Sequence, residues 1–183
     1  LEEKYKFKSQ IIIKKLDIKQ LEKLKVAEGF TRWVRSTNEK SKKELKHVLF
    51  SRLMGGTEVW GAIVNNTLVG FMIVSSWTAL PGAKIIDAIE IVKHYRGKGI
   101  GSKLLNSFLN EYQDSVIGLL LYPEAGYEDK LIKFYKKHGF EDLEEGIMIR
   151  FPSKPEKLMV WVKYIQDLRN LYDRLLKIIR VET

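Results

Sequence analysis

The sequence predicts an α/β (α+β) chain built on a mixed, mostly antiparallel sheet flanked by helices, and three observations carry that reading. Strand-like runs follow one another with short links at residues 59–64, 68–76 and 84–92, which makes neighbours antiparallel. A strand, a helix and another strand then succeed each other over residues 84–122, the pattern of a parallel pair joined by a right-handed crossover. Where that strand meets that helix stand Gly97, Gly99 and Gly101, interleaved with Arg96 and Lys98.

Taken in order, residues 1–9 are highly charged and expected to be flexible. Residues 10–15, around Ile11, Ile12 and Ile13, read as the first strand. Asp17 is placed to cap a helix whose apolar positions Ile18, Leu21, Leu24 and Ala27 run up to a stop at Gly29. Ser41 and Glu44 form a capping box for a second helix, with Leu45, Val48, Leu49 and Leu53 on its buried face and Gly55-Gly56 at its end. Asn65-Asn66 tolerates the positive φ angles of a tight hairpin turn, and Pro81-Gly82 makes the next turn. Period-2 alternation over residues 84–92 puts Ile85, Asp87, Ile89 and Ile91 on one face and Ile86, Ala88, Glu90 and Val92 on the other. A helix follows from Ile100 to about residue 113, then a strand at 116–122 and a helix at 128–138 closed by Gly139. Residues 141–145 read as a bend, and residues 147–151 as the final strand.

The totals bound the function. At 183 residues the chain fits one domain, residues 10–151, with a helical extension at 152–183. Without cysteine it has no disulfide, thiol nucleophile or thiolate metal site. His47, His94 and His138 show no ligand spacing, so no metal is expected. No apolar run approaches the ~20 residues that span a bilayer, and no signal-peptide block stands at the start, so a cytoplasmic protein is expected. The formal charge of +9 favours a polyanionic partner. Its lysines are interleaved with acids and nothing resembles a groove-reading module, which disfavours nucleic acid.

Glycines at the start of a helix let backbone N–H groups converge on a ligand where the helix contributes positive partial charge, a device for phosphate or pyrophosphate. The P-loop pattern is absent, and the dinucleotide fingerprint fails because Ser102 stands where its third glycine belongs. The pattern that fits is Arg-x-x-Gly-x-Gly at Arg96, Gly99 and Gly101. A second pattern follows one strand and one helix later: Phe134-Tyr135, three intervening residues, then Gly139-Phe140. The competing reading of the first is a bare turn; the two together, in this order, are far more specific.

These motifs resemble the GNAT superfamily of acyl-CoA-dependent N-acetyltransferases, over about residues 10–151. The resemblance implies a GNAT-like fold in which the loop Arg96, Gly97, Lys98, Gly99, Ile100, Gly101 and Ser102 holds the pyrophosphate of acetyl-CoA, the cosubstrate. It implies that a bulge splays the preceding strand, and that main-chain N–H groups of Ile91 and Val92 polarise the thioester carbonyl. It places Asp87 where these enzymes often carry an acid. Two carboxylates in so apolar a strand are costly unless they reach water, a partner or a substrate, so Asp87 and, second, Glu90 are candidate bases for an attacking amine. Tyr135 takes the place of the family's general acid, with Tyr122 and Tyr127 as substitutes; a packed core tyrosine is the competing reading. Trp33, with Arg32 and Arg35, borders the implied acceptor pocket, against a reading in which Trp33 only packs. Two departures stand out: Lys93 where many relatives have proline, and Glu128 where many have asparagine.

The implied activity is transfer of an acetyl group to a primary amine of a small molecule or protein, by direct attack in a ternary complex. The rival is a non-catalytic acyl-CoA-binding or regulatory module. Beyond this domain, Ser153 and Glu156 form a capping box for a long helix. Its stripe includes Leu158, Trp161, Ile165, Leu168, Leu171, Tyr172, Leu175, Ile178 and Ile179, with spacing that drifts between 3 and 4. Packing on the chain's own core, a homodimer, and part of a substrate groove compete to explain it.

Overall fold

The structure is a computed structural model and describes residues 10–31, 39–78, 80, 82–123, 126–143 and 146–181. The expected flexible N-terminus and the segment holding Arg32, Trp33 and Arg35 lie outside the described residues. Chain order is β1 (Ile12–Leu16), α1 (Ile18–Lys23), β2 (Lys25–Val26), α2 (Glu39–Met54), β3 (Glu58–Val64), β4 (Thr67–Ser76) and β5 (Lys84–Ile91), then α3 (Ile100–Glu111), β6 (Ile117–Leu120), α4 (Glu128–Lys137), β7 (Glu141–Asp142), β8 (Ile147–Arg150) and α5 (Pro155–Val181). The sheet runs β1-β3-β4-β5-β6-β8-β7, with β2 also on β4. Among the described residues only β5–β6 and β2–β4 are parallel.

Alternation along the central strands fills two cores, one on each face. Val59, Phe71 and Ile73 point to a core completed by Leu21 of α1 and by Leu45 and Leu49 of α2. Trp60, Met72 and Val74 point to the other, completed by Leu104, Leu105 and Phe108 of α3 and by Tyr135 of α4. Each fully buried side chain of this kind stabilises the fold by about 1.5–3 kcal/mol. The β3–β4 hairpin turns at Asn65 and Asn66 with φ of 48° and 57°, as their sequence requires.

Several expectations are corrected. Asp17 does cap α1, in a capping box with Gln20, but the helix ends at Lys23. Lys25 and Ala27 donate instead to the carbonyls of Asn66 and Leu68, both at 3.0 Å; pairing with β4 overrides the helical spacing. Helix α2 begins at Glu39, so Ser41 lies inside it and not at its cap. Helix α5 begins at Pro155, which leaves Ser153 outside the cap position. Glu141–Asp142 is a short strand on β8 rather than a bend.

The most consequential correction concerns β5. Ile73 faces Ala88 and Val74 faces Ile86, so Asp87 is the extra residue of a bulge. Unbroken alternation would put Ile86 and Ala88 on one face. The structure puts Ile86 with Ile89 in the α3/α4 core and Ala88 in the α1/α2 core.

Helix α5 is anchored by Trp161, which packs with Ala83, Val116 and Ile149, while Ile165, Leu168 and Leu171 further along are exposed. No helix among the described residues is long and apolar enough to cross a membrane.

Candidate active site

A cleft opens where β5 and β6 stop pairing. Their parallel register runs only from Lys84↔Ile117 to Ile86↔Leu119. The bulge at Asp87 follows immediately and bends β5 away. The resulting cavity, about 390 Å³, has Ile89, Glu90 and Ile91 on one wall. Tyr122, Pro123, Tyr127, Lys130, Leu131 and Phe134 form the opposite wall, and Arg96, Gly97, Gly99, Ile100, Gly101 and Ser102 close its end.

That end is an anion cradle. Gly97 and Gly99 adopt φ of 73° and 75°, left-handed conformations that L side chains rarely take. Gly99 is the N-cap of α3, and no side chain caps the helix. The first N–H inside its hydrogen-bond ladder is that of Lys103, donating to the Gly99 carbonyl at 3.0 Å. The N–H groups of Ile100, Gly101 and Ser102 therefore stand at the cleft without helical partners, at the positive end of the helix. Arg96 Nε donates to the Ile91 carbonyl at 2.8 Å and ties this loop to the end of β5. Lys98 is not part of the wall; its ammonium sits 5.0 Å from the Tyr95 ring centre.

The ladder between β4 and β5 fixes which main-chain groups face the cleft. The Val92 N–H donates to the Val69 carbonyl at 3.0 Å, so Val92 is engaged with the sheet and is not the donor the sequence suggested. Bonded and non-bonded pairs alternate along an antiparallel ladder. The Gly70↔Ile91 and Met72↔Ile89 pairs are therefore non-bonded, and the peptide groups of Ile89 and Ile91 point away from β4, into the gap.

Residues 55–142 match the family model of the acetyltransferase (GNAT) domain. The match spans 88 of the 183 residues, and over them the chain is similar to that family. No curated protein matches the sequence, but solved structures do. An acetoin utilization protein from Exiguobacterium sibiricum aligns at TM-score 0.59 and 17% identity, covering 91% of this chain and 99% of its own. The PaiA N-acetyltransferase from Thermoplasma acidophilum, in complex with coenzyme A, aligns at 0.55 and 23%, covering 78% and 99%. A GNAT family acetyltransferase from Brucella melitensis, in complex with acetyl-CoA, aligns at 0.55 and 18%, covering 80% and 90%. At these identities the likeness is one of fold.

Within this cleft the two candidate bases separate. Glu90 is the one buried charged residue among those described, 4% exposed. Its Oε1 accepts from the Thr31 N–H at 2.7 Å and from Thr31 Oγ1 at 3.3 Å. Its Oε2 is buried without a protein partner among the described residues. Asp87 lies outside the cleft walls: the bulge turns it to Ser75, whose hydroxyl donates to Oδ2, and to Arg52, whose Nη1 is 4.0 Å away. Tyr135 is buried, with its ring against Phe134 and Phe140; Phe134 forms the wall and Tyr135 does not. Sequence reasoning missed Thr31, which no local signal marks as a partner of Glu90. It also missed Lys130, although Lys130 stands one helical turn before Phe134 and so shares its face.

Proposed function

We propose that the protein transfers an acetyl group from acetyl-CoA to a primary amine by direct attack in a ternary complex. The observation that carries this reading is the joining, in one cleft, of an uncapped glycine cradle and a buried carboxylate, one oxygen of which has no partner among the described residues. The donor set suits a nucleotide pyrophosphate: three helix N-terminal amides, Arg96, and Lys130 on the facing wall. Gly101 leaves room beside Phe134, whose ring an added Cβ would meet at 3.7 Å.

Acetyl-CoA supplies a thioester carbonyl open to nucleophilic attack. The Ile91 N–H, turned into the gap, stabilises negative charge on that carbonyl oxygen. Glu90 Oε2 takes the proton of the attacking amine while Thr31 holds Oε1 in place. Glu90 lies on the α1/α2 side of β5 and the cradle on the α3 side, so the split between strands lets acceptor and donor meet from opposite faces. For protonation of the departing sulfur the motif marks Tyr135, whose ring is buried off the wall, while Tyr122 and Tyr127 stand on the wall itself as the other phenols.

The test is calorimetric titration with acetyl-CoA of the wild type and of a Gly99→Glu, Gly101→Glu variant, followed by thiol-release assays over a library of amines. The reading expects binding that the variant loses, and acceptor-dependent thiol release. Absence of binding sinks it outright. Binding without turnover on any amine turns the assignment to a non-catalytic acyl-CoA module.

A further inference from the structure

Two further hollows continue from the cleft, and their chemistry identifies an acceptor class. The first, about 490 Å³, shares Arg96 and Tyr127 with the cleft and includes Thr31, which anchors Glu90. It adds Lys93 and His94. The second, about 630 Å³, shares His94 and Glu28 with the first and is walled by Lys25, Lys42, Lys43 and Lys46. The three hollows thus form one trough that begins at the proposed base.

The trough is one-sided in charge. Beyond Glu90, the only carboxylate among the described residues of the two further hollows is Glu28, already bridged to Lys42 at 2.7 Å. Lys46 donates to the carbonyls of Glu22 and Leu24, which leaves its positive charge uncancelled. Among the described residues Lys25, Lys43 and Lys93 form no ion pair.

The backbone points to the kind of anion. Lys25 of β2 and Ala27 just after it donate to the carbonyls of Asn66 and Leu68, so in parallel pairing the N–H and C=O of Val26 between them face away from β4, and Val26 lines the second hollow. An extended polypeptide uses such an edge by adding a strand. Single-stranded nucleic acid needs open aromatic faces, and among the described residues the tyrosines of these two hollows, Tyr95 and Tyr127, already stand under Lys98 at 5.0 Å and Lys130 at 5.1 Å.

We infer that the acceptor is an acidic polypeptide segment, lying along the lysine-lined trough with its amine at Glu90. This rests on the proposed acetyl transfer and adds the class of acceptor to it.

The experiment uses fluorescein-labelled peptides on the full chain: one glycine followed by glutamates, the same length with serines, and an oligouridylate of similar length. Anisotropy should show the acidic peptide binding, weakening with added salt, and the serine peptide failing to bind at the same concentrations. A Lys25→Gln, Lys43→Gln variant should bind the acidic peptide about fivefold more weakly, the scale of two exposed ion pairs, while its acetyl-CoA titration stays at the wild-type value. The unlabelled acidic peptide should support thiol release that the serine peptide does not. Equal binding of the acidic and serine peptides, an unchanged variant, or tighter binding of the oligouridylate overturns the inference and leaves acetyl transfer standing. Failure of the acetyl-CoA titration overturns both.

Discussion

Replacing Glu58 by glutamine probes how α3, and with it the glycine cradle, is held on the sheet. Glu58 Oε1 accepts from Lys84 Nζ at 2.9 Å and from the Tyr112 hydroxyl at 2.6 Å, and Oε2 lies 3.0 Å from Lys15 Nζ. These partners come from β5, the end of α3 and β1, so one carboxylate staples the helix to two strands. Burial pushes the Glu58 carboxyl up, but the hydrogen bonds from Lys84, Tyr112 and Lys15 outweigh it and hold it at about 2, against an ordinary 4.5. Burial, then the bond to Glu58, pushes the Tyr112 phenol up to about 12. A carboxylate depressed in the folded state adds stability that is complete above its unfolded pKa and disappears as pH falls from about 4.5 through about 2. The full shift corresponds to roughly 3 kcal/mol. Lys15 is 43% exposed, so solvent screening brings the expected loss for Glu58→Gln to about 1.5 kcal/mol at pH 7, or a melting temperature lower by about 3–6 °C. The assay is urea unfolding followed by tryptophan fluorescence at pH 7, 5 and 3. The wild type and variant should differ most at pH 7 and converge toward pH 3. A difference that is the same at both ends, or absent at pH 7, refutes the argument.

Three further predictions concern the cleft. Glu90→Gln should lower turnover by about 10²–10⁴-fold and retain acetyl-CoA binding, while Thr31→Val, which removes only the longer of two bonds to Glu90, should lower it far less; steady-state thiol release on an accepted amine decides, and equal losses would mean Thr31 does more than orient the base. Gly99→Ala meets no steric obstacle, since nothing lies within 4 Å of an added Cβ, so its cost is the left-handed backbone alone, about 1–2 kcal/mol; calorimetry should show acetyl-CoA affinity reduced by about tenfold, and wild-type affinity would mean the cradle does not need that conformation. Tyr135→Phe should lower turnover and spare acetyl-CoA binding, whereas the same loss in Tyr127→Phe instead would move the acid to the cleft wall.

What the sequence revealed and what it concealed divide by the range of the interaction. The Asn65-Asn66 turn, the Asp17 cap and the glycine-rich start of α3 depend on backbone angles a few residues apart, and each appears where those residues place it. The two-residue β2, the contact from Thr31 to Glu90 across 59 positions and the Glu58 network depend on partners far along the chain; no periodicity announces them. The bulge at Asp87 lies between these cases and bears most directly on function. Two carboxylates three residues apart cannot be ranked by alternation when one of them is itself the residue that breaks the alternation. Once the extra residue is taken up at Asp87, that side chain turns to Ser75 and Arg52, and the strand beyond resumes its period with Glu90 at the cleft. A single inserted residue thus separates a surface ion pair from the buried carboxylate of the cleft, and the same insertion bends β5 to open that space.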